Sequence, residues 1–163
     1  MQSYLWMVLS GEMDKMSEER VTKEILKYLK KNGWYIFSYD FPQSGTGTLI
    51  SSDDYDNEKN KDSIIPDIIA IKNNICVFFE NKDRIVISDF DKVNSLRVNN
   101  KYLKNINKLL MNYNIKQYFY GIGLPKNIKI DKLNNIISKS DFILLVDEKY
   151  NIIIYDDKNK IFI

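Results

Sequence analysis

The sequence has no histidine, one cysteine, three prolines and six glycines among its 163 residues. Without histidine there is no Ser-His or Cys-His nucleophile–base pair and no imidazole metal site. The lone cysteine, Cys76, excludes an internal disulfide framework and fits a reducing cytoplasm. A strong charge of either sign is also missing: Lys and Arg total 24 against 22 Asp and Glu, a net charge of +2. That balance neither demands nor excludes a nucleic-acid partner, because a basic face can sit within a near-neutral total. The apolar run at residues 4–9 lacks a basic leader and is too short to span a bilayer, so no membrane partner is expected. It reads as a strand or docking segment, and Met13 and Met16 are alternative starts of the functional domain. Hydrolytic chemistry, if present, therefore rests on carboxylates, lysine and an oxygen-liganded metal.

What is present suits one globular domain, with 44% hydrophobic and 28% charged residues and no repeat or linker. Ser17 is a natural N-cap for a helix in which Val21, Ile25, Tyr28 and Leu29 recur at helical spacing, stopped by Gly33. "WYIFSYDF" reads as a strand, residues 64–84 as two more, and "SDFDKVNSL" and "NNKYLKNINKLLMNYN" as helices. "KQYFYGIGL" is a further strand, whose Gly121 and Gly123 permit close backbone approach. "KIDKLNNIISKS" is a short helix, and the tail from residue 141 a hairpin turning near residues 148–150. The expected fold class is α/β, a central mixed β-sheet flanked by helices. Its core lies at residues 17–124, with a C-terminal hairpin at 141–163 and an N-terminal extension at 1–16.

"IIPDIIAIKNNICVFFENKDR" carries Asp67, Glu80 and Lys82 on otherwise apolar strands. Buried acids and lysine are costly unless they have a partner or a task. Asn73 and Asn74 suit a two-residue turn, because Asn tolerates positive φ. Pairing across that turn sets Lys72 opposite Ile75 and, counting back along both strands, Asp67 opposite Glu80. Cβ atoms of such a pair lie about 4.5–5.5 Å apart. Lys82, two residues beyond Glu80, points to the same side. Ile69, Ile71, Cys76 and Phe78 share that face, and Ile68, Ala70, Ile75, Val77 and Phe79 the other, so the hairpin is buried on both sides. Two like charges placed opposite one another destabilise a sheet, and a divalent cation between them reverses the sign. A lysine alongside can hold a phosphate, position a water or steady developing charge. These are the parts of metal-assisted phosphodiester hydrolysis.

Pro66-Asp67 and Glu80-Asn81-Lys82 match the PD-(D/E)xK pattern, and the chain resembles the restriction-endonuclease-like nuclease superfamily over residues 17–124. The resemblance implies that Asp67 and Glu80 ligate Mg²⁺ (Mn²⁺ able to substitute), with the Asn81 backbone carbonyl as third ligand and Lys82 beside the attacking water. It also implies a glutamate from the leading helix. At about 100° per residue, Glu18 falls within the arc of Val21, Ile25 and Leu29, whereas Glu19 and Glu24 fall away from its centre. Glu18 is favoured, with Glu19 in reserve; both acids equally suit a first helical turn as partners of its dipole.

Several features carry alternative readings. "FPQSGTGT" lacks the Gly-Lys-Ser/Thr ending of a phosphate-binding loop, so Gln43, Ser44 and Thr46 either touch DNA or form a plain turn. The acids at 53, 54 and 56 lack the glycine that a calcium loop needs, since position 59 is Lys59, and read as a solvated loop. Arg84, Lys92 and Arg97 lie downstream of the motif and can track phosphates, arginine being suited to bidentate contacts. The expected activity is a Mg²⁺-dependent endonuclease acting on double-stranded DNA, of type II restriction class or a catalytic subunit of one. Double-strand cleavage implies a homodimer or a partner recognition subunit. A structure-selective nuclease of junction-resolving or repair type, and a non-catalytic DNA-binding module of the same fold, are the alternatives.

Overall fold

A computed structural model of the chain describes residues 15–42, 44–53 and 63–163. Helix α1 spans Glu18–Lys31 and is capped by Ser17, whose hydroxyl accepts the Arg20 N–H at 3.1 Å. Glu18 and Glu19 lie in the first turn and Lys30 and Lys31 in the last, each complementing the helix dipole. Val21, Ile25 and Leu29 are fully buried. Each such side chain contributes about 1.5–3 kcal/mol by leaving water.

Six strands form one sheet in chain order: β1 (Tyr35–Tyr39), β2 (Ile68–Lys72), β3 (Ile75–Asn81), β4 (Gln117–Pro125), β5 (Phe142–Val146) and β6 (Ile152–Asp157). The first three pair antiparallel, β3–β4 and β4–β5 pair parallel, and β6 returns antiparallel. Parallel neighbours need long crossovers. Helices α2 (Ile87–Val98) and α3 (Leu103–Leu109) supply the first, and α4 (Ile130–Asn134) the second. Helix α1 covers one face, over Ile68, Ala70, Val77 and Phe79. Helices α2 and α3 cover Ile69, Ile71, Cys76 and Phe78 on the other. The two-sided burial expected for the hairpin is therefore found, with the same residues on each face.

The β2–β3 turn places Asn73 at φ 50° and Asn74 at φ 67°, and Lys72 pairs with Ile75. Positive φ at both central residues defines the tight hairpin turn whose twist matches its strands.

The C-terminal hairpin completes the sheet beyond residue 124: β5 is bonded to β4 in register and buried along its length. The hairpin strands stop at Asp157, whose carboxylate accepts the N–H groups of Ile161 and Phe162 at 2.8 and 2.9 Å. That cap turns Phe162 back against Trp34, Phe79 and Phe142. The apolar run at residues 4–9 lies outside the described residues, as does most of the acidic loop at 54–62. Among the described residues no helix is long and apolar enough to cross a membrane.

Candidate active site

The β2–β3 ladder runs to Ile68↔Phe79, one step short of Asp67 and Glu80. Beyond it the Asp67 N–H reaches the Phe79 carbonyl at 2.9 Å, and its carboxylate accepts the Asn81 N–H at 2.6 Å. The acid is thus fixed at the strand end rather than paired in the ladder. The Lys82 ammonium lies 3.4 Å from a Glu80 oxygen and 3.7 Å from a Glu18 oxygen. Asp67, Glu80, Lys82 and Glu18 are therefore gathered at one end of the sheet, where the α1 N-terminus meets the end of β3. Glu19 is instead paired with Lys23 on the outer side of α1. Glu24, expected away from the apolar arc, is only 6% exposed, with Arg20 and Lys27 both bonded to its carboxylate. Those flanking cations satisfy a carboxylate that the wheel alone places at the margin of the face.

Burial, and then the neighbouring Glu80 charge, push the Asp67 carboxyl up to about 8. Burial also raises Glu80, against the pull of Lys82. For Glu18 burial again comes first, with Lys82 opposing it and Asp83 and Asp89 adding to it. Burial alone draws the Lys82 ammonium down, but Glu80 and Glu18, joined by Asp89 and Asp67, outweigh it and hold it above the usual lysine value. Lys82 is thus a fixed cation near neutrality and not a proton acceptor.

Asn81 joins α1 to this cluster. Its side chain turns to the α1 face, fully buried, and donates from Nδ2 to Thr22 Oγ1 at 3.1 Å. The Thr22 hydroxyl donates in turn to the Glu18 carbonyl at 3.1 Å. One residue thus holds the Asp67 carboxylate through its N–H and the first turn of α1 through its amide. Gly123 makes room for this: a Cβ there would meet Asn81 Oδ1 at 2.2 Å and Ile25 Cδ1 at 2.3 Å. Gly121 likewise leaves space for the Phe142 ring. The pair of glycines was the sequence signal; Thr22 gave none.

The donor set suits a hard divalent cation. Among the described residues no three His, Cys, Asp or Glu side chains converge as a metal cluster. Asp67 and Glu80 nevertheless form a half-buried pair in which one raises the other, a place where added positive charge is favourable. Mg²⁺ needs one or two carboxylates and takes its other ligands from water and substrate phosphate. The Asn81 Nδ2 is committed to Thr22, and its Oδ1 is buried against Gly123 with no hydrogen-bond partner among the described residues, so the group this residue can offer a cation at the strand end is its main-chain carbonyl.

The other sequence candidates separate. Gln43 lies outside the described residues. The Ser44 hydroxyl accepts the Phe41 N–H, and Thr46 donates to the Tyr39 carbonyl, so both are engaged in folding their own loop. Asp53 is no calcium ligand of an open loop: its carboxylate accepts the N–H groups of Lys104 and Asn105 at the start of α3. Arg97 is turned inward. Its guanidinium donates to the carbonyls of Ser138 and Ser140 at 2.6 and 3.2 Å and pairs with Asp141 at 3.7 Å. It clamps α2 to the segment leading into β5 and is not presented to a ligand. Arg84 is 78% exposed and pairs with adjacent Asp83. Lys92 lies on α2 within electrostatic reach of Glu80. No protein-family model matches the chain, and no curated protein matches its sequence.

Proposed function

We propose that the chain is a Mg²⁺-dependent nuclease with a restriction-endonuclease-like core, hydrolysing phosphodiester bonds in double-stranded DNA. Within that class the reading is a type II restriction endonuclease or its catalytic subunit. One observation carries it: Asp67 and Glu80 lie together at a buried strand end with Lys82 bonded between Glu80 and Glu18.

Asp67 and Glu80, with the Asn81 carbonyl, would hold the cation. The bound metal would polarise the phosphate and favour a nucleophilic water at neutral pH. Lys82, held cationic by Glu80, Glu18, Asp89 and Asp67, orients the water and steadies charge growing on the phosphate oxygens. Glu18 is the second carboxylate that fixes the Lys82 ammonium. Thr22 and Asn81 keep α1 and the strand end in register, so these groups need not reorganise during reaction. A single such centre cuts one strand, and two chains or a partner subunit complete duplex cleavage.

The test is digestion of a mapped plasmid with purified protein and Mg²⁺. Discrete fragments are expected, with Asp67→Ala or Lys82→Ala lowering the rate at least ~10²-fold while duplex binding survives. Unchanged cutting by both variants refutes the assignment. Cutting of four-way junctions without cutting of linear duplex replaces the restriction reading by a structure-selective one.

A further inference from the structure

A cavity of about 590 Å³ opens beside Glu80 and extends along α2. Pockets that enclose a small ligand measure about 300–1,000 Å³. Its inner wall is apolar. Phe78 and Tyr120 line it as a stacked pair, 4.9 Å between centroids and 13° between planes, and Val93 and Leu96 face it from α2. Its helical wall also carries polar groups. Lys92, Ser95 and the C-cap Asn99 all line the cavity, at the i, i+3, i+7 spacing of a single helix face. At 1.5 Å per residue they extend about 10 Å away from the Glu80 end. The side chains of Ser95 and Asn99 are exposed and make no hydrogen bond to another described residue.

We propose that this cavity takes one unstacked nucleotide of the substrate strand, its base against the apolar wall and its phosphate at the mouth beside Lys92. The nature of the substrate rests on the nuclease reading above. A base is flat and apolar on its faces and studded with donors and acceptors on its edge, which matches an aromatic-floored cavity with Ser and Asn along one side. Asn99 can pair with a base edge through both amide atoms, and Ser95 can serve as donor or acceptor. An undistorted duplex lying across the carboxylate pair would leave such a cavity unfilled; a nucleotide turned out of the stack fills it and sets its phosphate at the mouth by Lys92, at the end of the cavity that Glu80 lines.

The experiment is an NMR titration of ¹⁵N-labelled protein, without divalent metal, with each of the four deoxynucleoside 5′-monophosphates. Saturable shifts are expected in the amides of residues 93–99 and of Tyr120. Leu96→Trp, which fills the cavity, should weaken binding at least tenfold, and Asn99→Ala, an exposed change that leaves the fold intact, severalfold. No shift at millimolar nucleotide, or wild-type affinity in both variants, overturns the proposal. Nucleotide binding at these amides by a protein that cuts no DNA supports the cavity and sinks the nuclease reading. DNA cleavage by a protein whose amides do not respond overturns the cavity alone.

Discussion

Replacing Asp67 by Asn should make the metal-free protein more stable at neutral pH. The Asn81 N–H that now bonds the carboxylate at 2.6 Å finds an amide oxygen of the same shape, so the strand end is kept. What disappears is a half-buried carboxyl whose proton affinity desolvation and Glu80 raise from 3.8 to about 8. The folded protein holds that proton more tightly than the unfolded chain does. Stability is therefore lost as pH rises through the window between those two values, at about 1.4 kcal/mol per pH unit for one proton. From about pH 5 to pH 7 the wild type should lose about 2–3 kcal/mol that the variant keeps. Urea unfolding in EDTA at a series of pH values, read by far-UV circular dichroism, measures it. The two proteins should have similar midpoints only below about pH 4, and the lead of the variant should widen steadily from there to pH 7. Excess Mg²⁺ should then raise the wild type and leave the variant unmoved, since a ligand stabilises only the state that binds it. An Asn variant with the wild-type pH slope, or one less stable at pH 7, refutes the carboxylate-pair argument. Equal stabilisation of both proteins by Mg²⁺ refutes the cation.

Substitutions at three other positions test the frame around the site. Gly123→Ala places a Cβ within 2.3 Å of Asn81 and Ile25, so overpacking should cost about 1–3 kcal/mol in urea unfolding; a neutral change would show that Asn81 is not held as described. Arg97→Ala should cost about 1.5–3 kcal/mol by removing charged hydrogen bonds to two carbonyls, while duplex affinity at fixed salt stays the same. A loss of affinity without a loss of stability would return Arg97 to the nucleic-acid surface. Asn74→Val forces a β-branched residue to φ 67° and should cost about 1–2 kcal/mol, whereas Asn74→Gly should be neutral or stabilising by thermal melt.

The hairpin that carries Asp67, Glu80 and Lys82 was legible in the sequence because everything that defines it is local. Two asparagines able to take positive φ set the turn, the turn sets the register, and strict alternation sets the faces, so Phe78 and Phe79 fall on the faces expected of them. The stripe Val21, Ile25, Leu29 likewise fixed which side of α1 is buried, and with it the direction of Glu18. What a face meets is another matter, since periodicity says where apolar groups point and not what they touch. Glu18 reaches Lys82 only because α1 is seated on Gly123, and Asn81 bonds a threonine 59 residues away. Arg97 read as a surface cation, yet carbonyls more than forty residues later take its donors. Glu24 read as peripheral, yet two cations on its own helix close over it. Ser95 and Asn99 became visible only when α2 was laid beside Phe78 and Tyr120 to leave a cavity. The sequence determined which acids and lysine stand together on one strand end. The tertiary structure decided which further side chains join them, because long polar side chains are assigned by whichever distant donor or acceptor the packed elements bring within hydrogen-bonding distance.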